Sequence, residues 1–187
     1  MKRTKIFFAI AWLVWPGTSA LADDPSSIEA FLGKWKGDQV SSETESLPSD
    51  ALDLQVQSDR NGFRISWRDL STGSSGGPGA QKVNAHFQRT GRPGVYEYVE
   101  ESGSFLTRMF ASPSTGNPLE GETLLWARVG DLTLTVYSMS VEPNGGFNLD
   151  RYSWVQTESG LLLRYSERTE DLADETKIEG ELVALGK

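Results

Sequence analysis

Leu52-Asp53-Leu54-Gln55-Val56-Gln57-Ser58-Asp59-Arg60-Asn61-Gly62-Phe63-Arg64-Ile65-Ser66-Trp67-Arg68 changes polarity at almost every step on both sides of a turn signal. Leu52, Leu54 and Val56 alternate with Asp53, Gln55 and Gln57, and Phe63, Ile65 and Trp67 alternate with Arg64, Ser66 and Arg68. A period of two sends successive side chains to opposite faces of an extended chain, so each run is a half-buried strand. Asp59-Arg60-Asn61-Gly62 between them makes the pair a hairpin.

The pattern repeats outward from this hairpin. Val83, Ala85 and Phe87 alternate with Asn84, His86 and Gln88, and further turn signals stand at Arg92-Pro93-Gly94, Val129-Gly130-Asp131, Pro143-Asn144-Gly145-Gly146 and Glu158-Ser159-Gly160. Ten or eleven strands are expected, near 33–40, 51–58, 62–69, 82–90, 94–100, 105–111, 122–129, 132–141, 147–157, 161–168 and 176–185. Such a meander exposes two sheet edges unless it closes, so the fold predicted is all-β, an up-and-down antiparallel β-barrel of about ten strands. A two-sheet sandwich is the competitor, and the regular short connections disfavour it. Before the first strand, Pro25 to Leu32 reads as a short helical turn with a serine cap, stopped by Gly33. Three connections are long, Ser41 to Asp50, Leu70 to Ala80 and Ser112 to Gly121. In a meander connections alternate between the two ends, which places the first two at one end, the candidate mouth.

Residues 1–22 carry Lys2, Arg3 and Lys5, an apolar run from Ile6 to Trp15, the breakers Pro16 and Gly17, and the small-residue site Ala20-Leu21-Ala22. This is the pattern of a cleaved Sec-type bacterial export signal, and its apolar run is too short to span a bilayer. The expected mature chain, 23–187, is a single β-barrel domain in the periplasm or secreted, with no stable membrane anchor. Losing three basic residues takes the net charge from −8 to −11, which disfavours nucleic acid and anionic lipid surfaces. The absence of cysteine excludes disulfides, thiolate metal sites and a thiol nucleophile, and a single histidine, His86, excludes multi-histidine metal sites. No metal and no cofactor are expected. No Ser-His-Asp order, phosphate-binding loop or dinucleotide fingerprint is present. The acidic stretch Glu167, Glu170, Asp171, Asp174 and Glu175 lacks calcium-loop spacing and reads as a solvated turn.

Phe31-Leu32-Gly33-Lys34-Trp35-Lys36-Gly37 sets a G-x-W at the start of the first strand, just after the helical turn. This resembles the lipocalin and wider calycin barrels, including lipocalin-like exported bacterial proteins and nitrobindin-type haem barrels. The resemblance implies that Gly33 permits a tight entry into the barrel and that Trp35 plugs its closed end under an arginine from a late strand, here Arg164 or Arg168. Leu149-Asp150-Arg151-Tyr152 is a loose echo of a late lipocalin motif. Nitrobindin-type barrels hold haem through a late histidine, and this chain has none after His86.

His86 shares its strand face with Asn84 and Gln88, so an apolar lumen would turn it to solvent as neither base nor ligand. The strand at 147–157 places Phe147, Leu149, Arg151, Ser153 and Val155 opposite Asn148, Asp150, Tyr152, Trp154 and Gln156. Arg151 is thereby in register with apolar side chains, where a cation needs a carboxylate from the protein or from a ligand. Barrels resembling fatty-acid carriers grip an acid headgroup with an interior arginine and tyrosine. The ligand-binding residues expected on that basis are Arg151, with Tyr137 or Tyr165 as hydroxyl donor and Trp126 as wall. A one-residue change of register inverts the face, which leaves an outward or internally paired Arg151 as the alternative.

The reading that follows is an exported lipocalin-like barrel that binds a small hydrophobic or amphipathic ligand in its lumen, with catalysis left open. Two alternatives stand beside it. One is a lipid cyclase or isomerase using an inward-turned acid such as Asp150 or Glu97. The other is a solid barrel whose long loops bind another envelope protein, a basic one given the charge of the chain.

Overall fold

The computed structural model describes residues 27–42, 47, 50–71, 76–100, 117–170 and 175–185, with backbone alone for 38–42 and 175–177. Among them run ten strands, β1 (Gly33–Ser42), β2 (Leu54–Asp59), β3 (Gly62–Arg68), β4 (Lys82–Arg89), β5 (Val95–Tyr98), β6 (Leu124–Gly130), β7 (Thr133–Val141), β8 (Phe147–Gln156), β9 (Leu161–Thr169) and β10 (Glu175–Ala184). Each pairs antiparallel with its sequence neighbour, and β1 also pairs with β10, so the meander closes into a barrel. The all-β, up-and-down barrel expected from the alternation is the fold observed. The strand expected at 105–111 and the segment 1–22 lie outside the described residues.

Closure makes one face of every strand interior. The alternating apolar sets supply it: Leu54 and Val56, Phe63, Ile65 and Trp67, Val83, Ala85 and Phe87, Leu134 and Val136, Leu161 and Leu163 are all buried. A wall of ten strands encloses more width than aliphatic chains fill, and aromatic rings occupy the difference. Phe63 packs on Phe87 and Tyr96 at centroid distances of 5.4 and 5.0 Å, and Tyr152 on Trp67 and Tyr165 at 5.7 and 4.9 Å.

One end is shut by the short 3-10 helix Ile28–Phe31, capped by the Ser27 hydroxyl, which accepts from the Glu29 N–H at 3.2 Å. Its Phe31 is fully buried, and Gln156 Nε2 donates to the Ala30 carbonyl at 2.8 Å to tie the turn to β8. The chain then enters β1 through Gly33 at φ +129°, a conformation that a side chain resists. The β1–β2, β3–β4 and β5–β6 connections all leave from the opposite end, and they are the three that are long. The third spans residues 99–123, and the strand expected at 105–111 falls within it, outside the described residues.

The hairpin that opened the sequence reading has Gln57 opposite Arg64 and Asp59 opposite Gly62. Gly62 has no positive φ; its value lies in space, because a Cβ there would stand 1.9 Å from the Phe87 carbonyl oxygen. Gly62→Ala is therefore expected to cost about 2–3 kcal/mol in urea unfolding, the scale of an overpacked core. Gly130→Ala, where a Cβ meets nothing within 4 Å, should leave the unfolding midpoint unchanged.

Candidate functional site

The strand faces that build the core also carry polar groups inward at the long-loop end. Tyr152 on β8 donates its hydroxyl to Asp69 Oδ1 at 2.8 Å and accepts the Leu70 N–H at 3.0 Å. Tyr165 on β9 donates to Asp150 Oδ1 at 2.8 Å. Asn148 Nδ2 donates to Glu167 Oε1 at 3.2 Å, and Glu167 is buried. Asp69, Asp150 and Glu167 with two tyrosines thus form a girdle around the upper interior. Glu167 departs from the solvated turn expected of it, because the β9 alternation carries it to the same side as Tyr165 and Leu163. Burial pushes the Tyr152 and Tyr165 hydroxyls well above the ordinary phenol value, and the adjacent carboxylates push them further. Both stay protonated and act as donors.

Below the girdle lie Trp67 and Trp154, 4% and 1% exposed, with ring centroids 6.5 Å apart at 75°. Neither indole Nε1–H has an acceptor among the described residues. A buried donor left unmatched costs about 1–3 kcal/mol, and two neighbouring ones in one apolar interior mark a place where an acceptor is called for.

The wall opens beside Trp67. β1 pairs with β2 over only three residues, Gly33 to Trp35 against Val56 to Leu54, before it shifts to β10 alone through an irregularity between Gly37 and Gln39. The resulting slot, about 210 Å³, is lined by Trp35 and Trp67, with Lys34, Arg68 and Lys82 around its rim. Arg68 is ion-paired with Asp50, and Asp53 accepts the Gly37 N–H at 3.3 Å. Lys34 and Lys82 are exposed and form no ion pair with the described residues.

A second, shallower groove of about 160 Å³ lies on the outer wall over β2, β3 and β4, lined by Gln57, Arg64, Asn84 and His86 among others. His86 has the outward register expected of it, opposite Arg64, yet it is buried rather than solvated, with Nε2 2.8 Å from Asp59 Oδ2. The Arg60 N–H bonded to Asp59 draws its carboxyl below the ordinary value; burial opposes this, and Arg64 and His86 add to the lowering.

The residues singled out from the sequence fall in two places. Trp126, Tyr137 and Arg151 stand in one cross-strand row on the outer wall, with Trp126 stacked on Tyr137 at 4.8 Å and 7°, and Arg151 opposite Tyr137. Tyr165 faces the interior, so the four do not converge on one lumenal grip. The outward register holds because Tyr152 and Trp154, one residue to either side of Arg151 and Ser153, are the buried ones. Trp35 sits opposite Leu54 on the inner side, and its Nε1 donates to the Phe31 carbonyl at 3.0 Å. Arg164 does not cover it: its guanidinium lies outside, bonded to Glu179 Oε1 at 3.2 Å, and Arg168 is exposed. Of the acids named for the alternative enzyme, Asp150 faces inward and Glu97 is exposed. Trp67, Trp154, Asp69 and Tyr152 were not among the candidates; Trp67 and Asp69 continue the alternation of Phe63 and Ile65, whereas Tyr152 and Trp154 stand on the β8 face opposite Phe147, Leu149 and Val155.

Comparison of the chain with models of known protein families, with curated proteins and with solved structures found no match.

Tyr152 and Tyr165 should be silent in a spectrophotometric titration, so that of five tyrosines two fail to ionise before the protein unfolds. Their raised values have a sign: the unfolded chain releases these protons near pH 10 while the folded one keeps them, so the stability they carry is whole below pH 10 and is lost as pH rises beyond it. Tyr165→Phe should remove part of that alkaline slope and cost about 1–3 kcal/mol by leaving Asp150 without this donor.

Proposed function

We propose that this chain is an exported, small-ligand-binding barrel, and that its ligand is a hydrophobic or amphipathic molecule carrying a hydrogen-bond acceptor. One observation carries the reading: the two indole N–H groups of Trp67 and Trp154 lie buried side by side in an aromatic interior with no acceptor. An acceptor-bearing guest satisfies both groups and gains the apolar contact around them, whereas a purely structural core would have used phenylalanine at both positions. The resemblance of Gly33-x-Trp35 to calycin barrels supports the same class of function. The interior differs from the acid-gripping arrangement anticipated from the sequence, since its polar residues at the long-loop rim are carboxylates and tyrosines.

A second reading, acid–base catalysis, draws on Asp150, which faces inward and holds the Tyr165 hydroxyl at 2.8 Å. A carboxylate and a protonated phenol in contact are a base and an acid on one interior surface. Ligand identity separates the two, because a carrier returns its guest unchanged and an enzyme alters it.

Native mass spectrometry of the protein purified from its own host, compared with the same sample denatured, tests the proposal. The intact chain should begin at Asp23, the first residue after the export signal, and the native sample should carry a mass excess that vanishes on denaturation. No excess, together with no uptake of a fluorescent fatty-acid analogue, overturns the ligand-binding reading in favour of a solid barrel. Trp67→Phe should lower occupancy several-fold if the indole N–H holds the guest.

A further inference from the structure

The two ends of the barrel differ from its side. Phe31 and its helical turn shut one end, and the tyrosine–carboxylate girdle narrows the other with a ring of negative groups. The slot between β1 and β3 is different in both shape and charge. Its walls are the indoles of Trp35 and Trp67, and Trp67 is also the residue whose buried Nε1–H is unmatched. Trp35 has already given its own N–H to the Phe31 carbonyl, which fixes its ring and leaves its surface as the contact it offers. At the rim, Arg68 is ion-paired with Asp50, and the Asp53 carboxylate, which accepts the Gly37 N–H, keeps its charge. Lys34 and Lys82, in no ion pair with the described residues, outnumber that carboxylate and leave the mouth of the cleft cationic in a chain whose overall charge is −8.

From this we infer that the slot is a binding site for a planar aromatic anion, an aromatic carboxylate in its simplest form. The inference rests on the ligand-binding reading and names the class of ligand and its place of entry. The ring lies against Trp35 and the exposed edge of Trp67, and the carboxylate meets the ammonium groups of Lys34 and Lys82. A local pair of cations on a strongly acidic surface also confers selectivity, since an anion is repelled elsewhere and held here. The volume, about 210 Å³, suits one or two fused rings and not a long acyl chain.

The test uses 2-naphthoate and its neutral, nearly isosteric amide, 2-naphthamide, titrated calorimetrically into the mature protein. Naphthoate should bind at least about tenfold more tightly than the amide, and the preference should weaken as salt is added. The double variant Lys34→Gln/Lys82→Gln, altered only at exposed side chains, should erase the preference without changing thermal stability.

Equal binding of acid and amide, or a double variant that still prefers the acid, overturns the anionic class while the protein stands as a ligand binder. If neither compound binds while native mass spectrometry reveals a bound guest, the aromatic-anion site is wrong and the ligand-binding reading survives. Absence of both signals removes the two together.

Discussion

Everything in this structure depends on the pairing of the first strand with the last. A ten-strand meander left open carries two edges of unpaired N–H and C=O groups, an invitation to aggregation. Trp35 to Ser42 pairs with Ala184 to Ile178, both edges disappear, and one face of the sheet becomes an interior. From that point parity governs. Each strand has one inward set and one outward set, and each hairpin turn transmits the choice to the next strand, since directly opposed residues share a face.

Closure then poses a filling problem that the composition answers. The interior is too wide for aliphatic chains, and the chain, which has no disulfide to lend stability, fills it with phenylalanine, tyrosine and tryptophan. Large aromatics bring polar atoms with them. Tyr152 and Tyr165 resolve theirs by donating to Asp69 and Asp150, which satisfies a hydroxyl and a carboxylate in the same bond. Trp67 and Trp154 find no such partner among the described residues, and the proposed function rests on this asymmetry among otherwise equivalent core aromatics. Hydroxyls were given partners drawn from distant parts of the chain, while two indoles of similar burial were left with none.

The barrel itself was legible because a period of two is a local property, readable in each strand without its neighbours. Leu54 and Val56, Phe63 to Trp67 and Val83 to Phe87 all face where their alternation puts them. The face of β8 was harder, since both of its sides carry large apolar groups: Phe147, Leu149 and Val155 on one, Tyr152 and Trp154 on the other. Its neighbour decides. The turn after Val141 sets Leu134 opposite Trp154 and Val136 opposite Tyr152, so the aliphatic face of β7 carries the aromatics of β8 inward and sends Arg151 outward with Tyr137. Reading hairpins as pairs rather than strands singly would have placed Arg151. Burial of His86 on an outer face was beyond any alternation rule, because it depends on Asp59 at the far end of a different strand. The slot was equally hidden, being set by how many residues β1 shares with β2 before it turns to β10.

That count explains where the wall is weakest. A strand in a closed barrel must satisfy two neighbours, and β1 does so unequally, pairing with β2 over three residues and with β10 over seven. Beyond Trp35 the returning chain at Asp50 to Asp53 meets β1 through side chains among the described residues, with Leu52 packed against Gly37 and the Asp53 carboxylate on the Gly37 N–H, while the Asp50–Arg68 ion pair ties it to β3. A wall held by side chains yields at less cost than one held by a backbone ladder. Trp67 stands directly behind this weakest part of the wall. With one end plugged by Phe31 and tyrosine–carboxylate bonds joining β3, β8 and β9 near the other, the guest of the proposed function would enter at this seam, where no strand pair has to break.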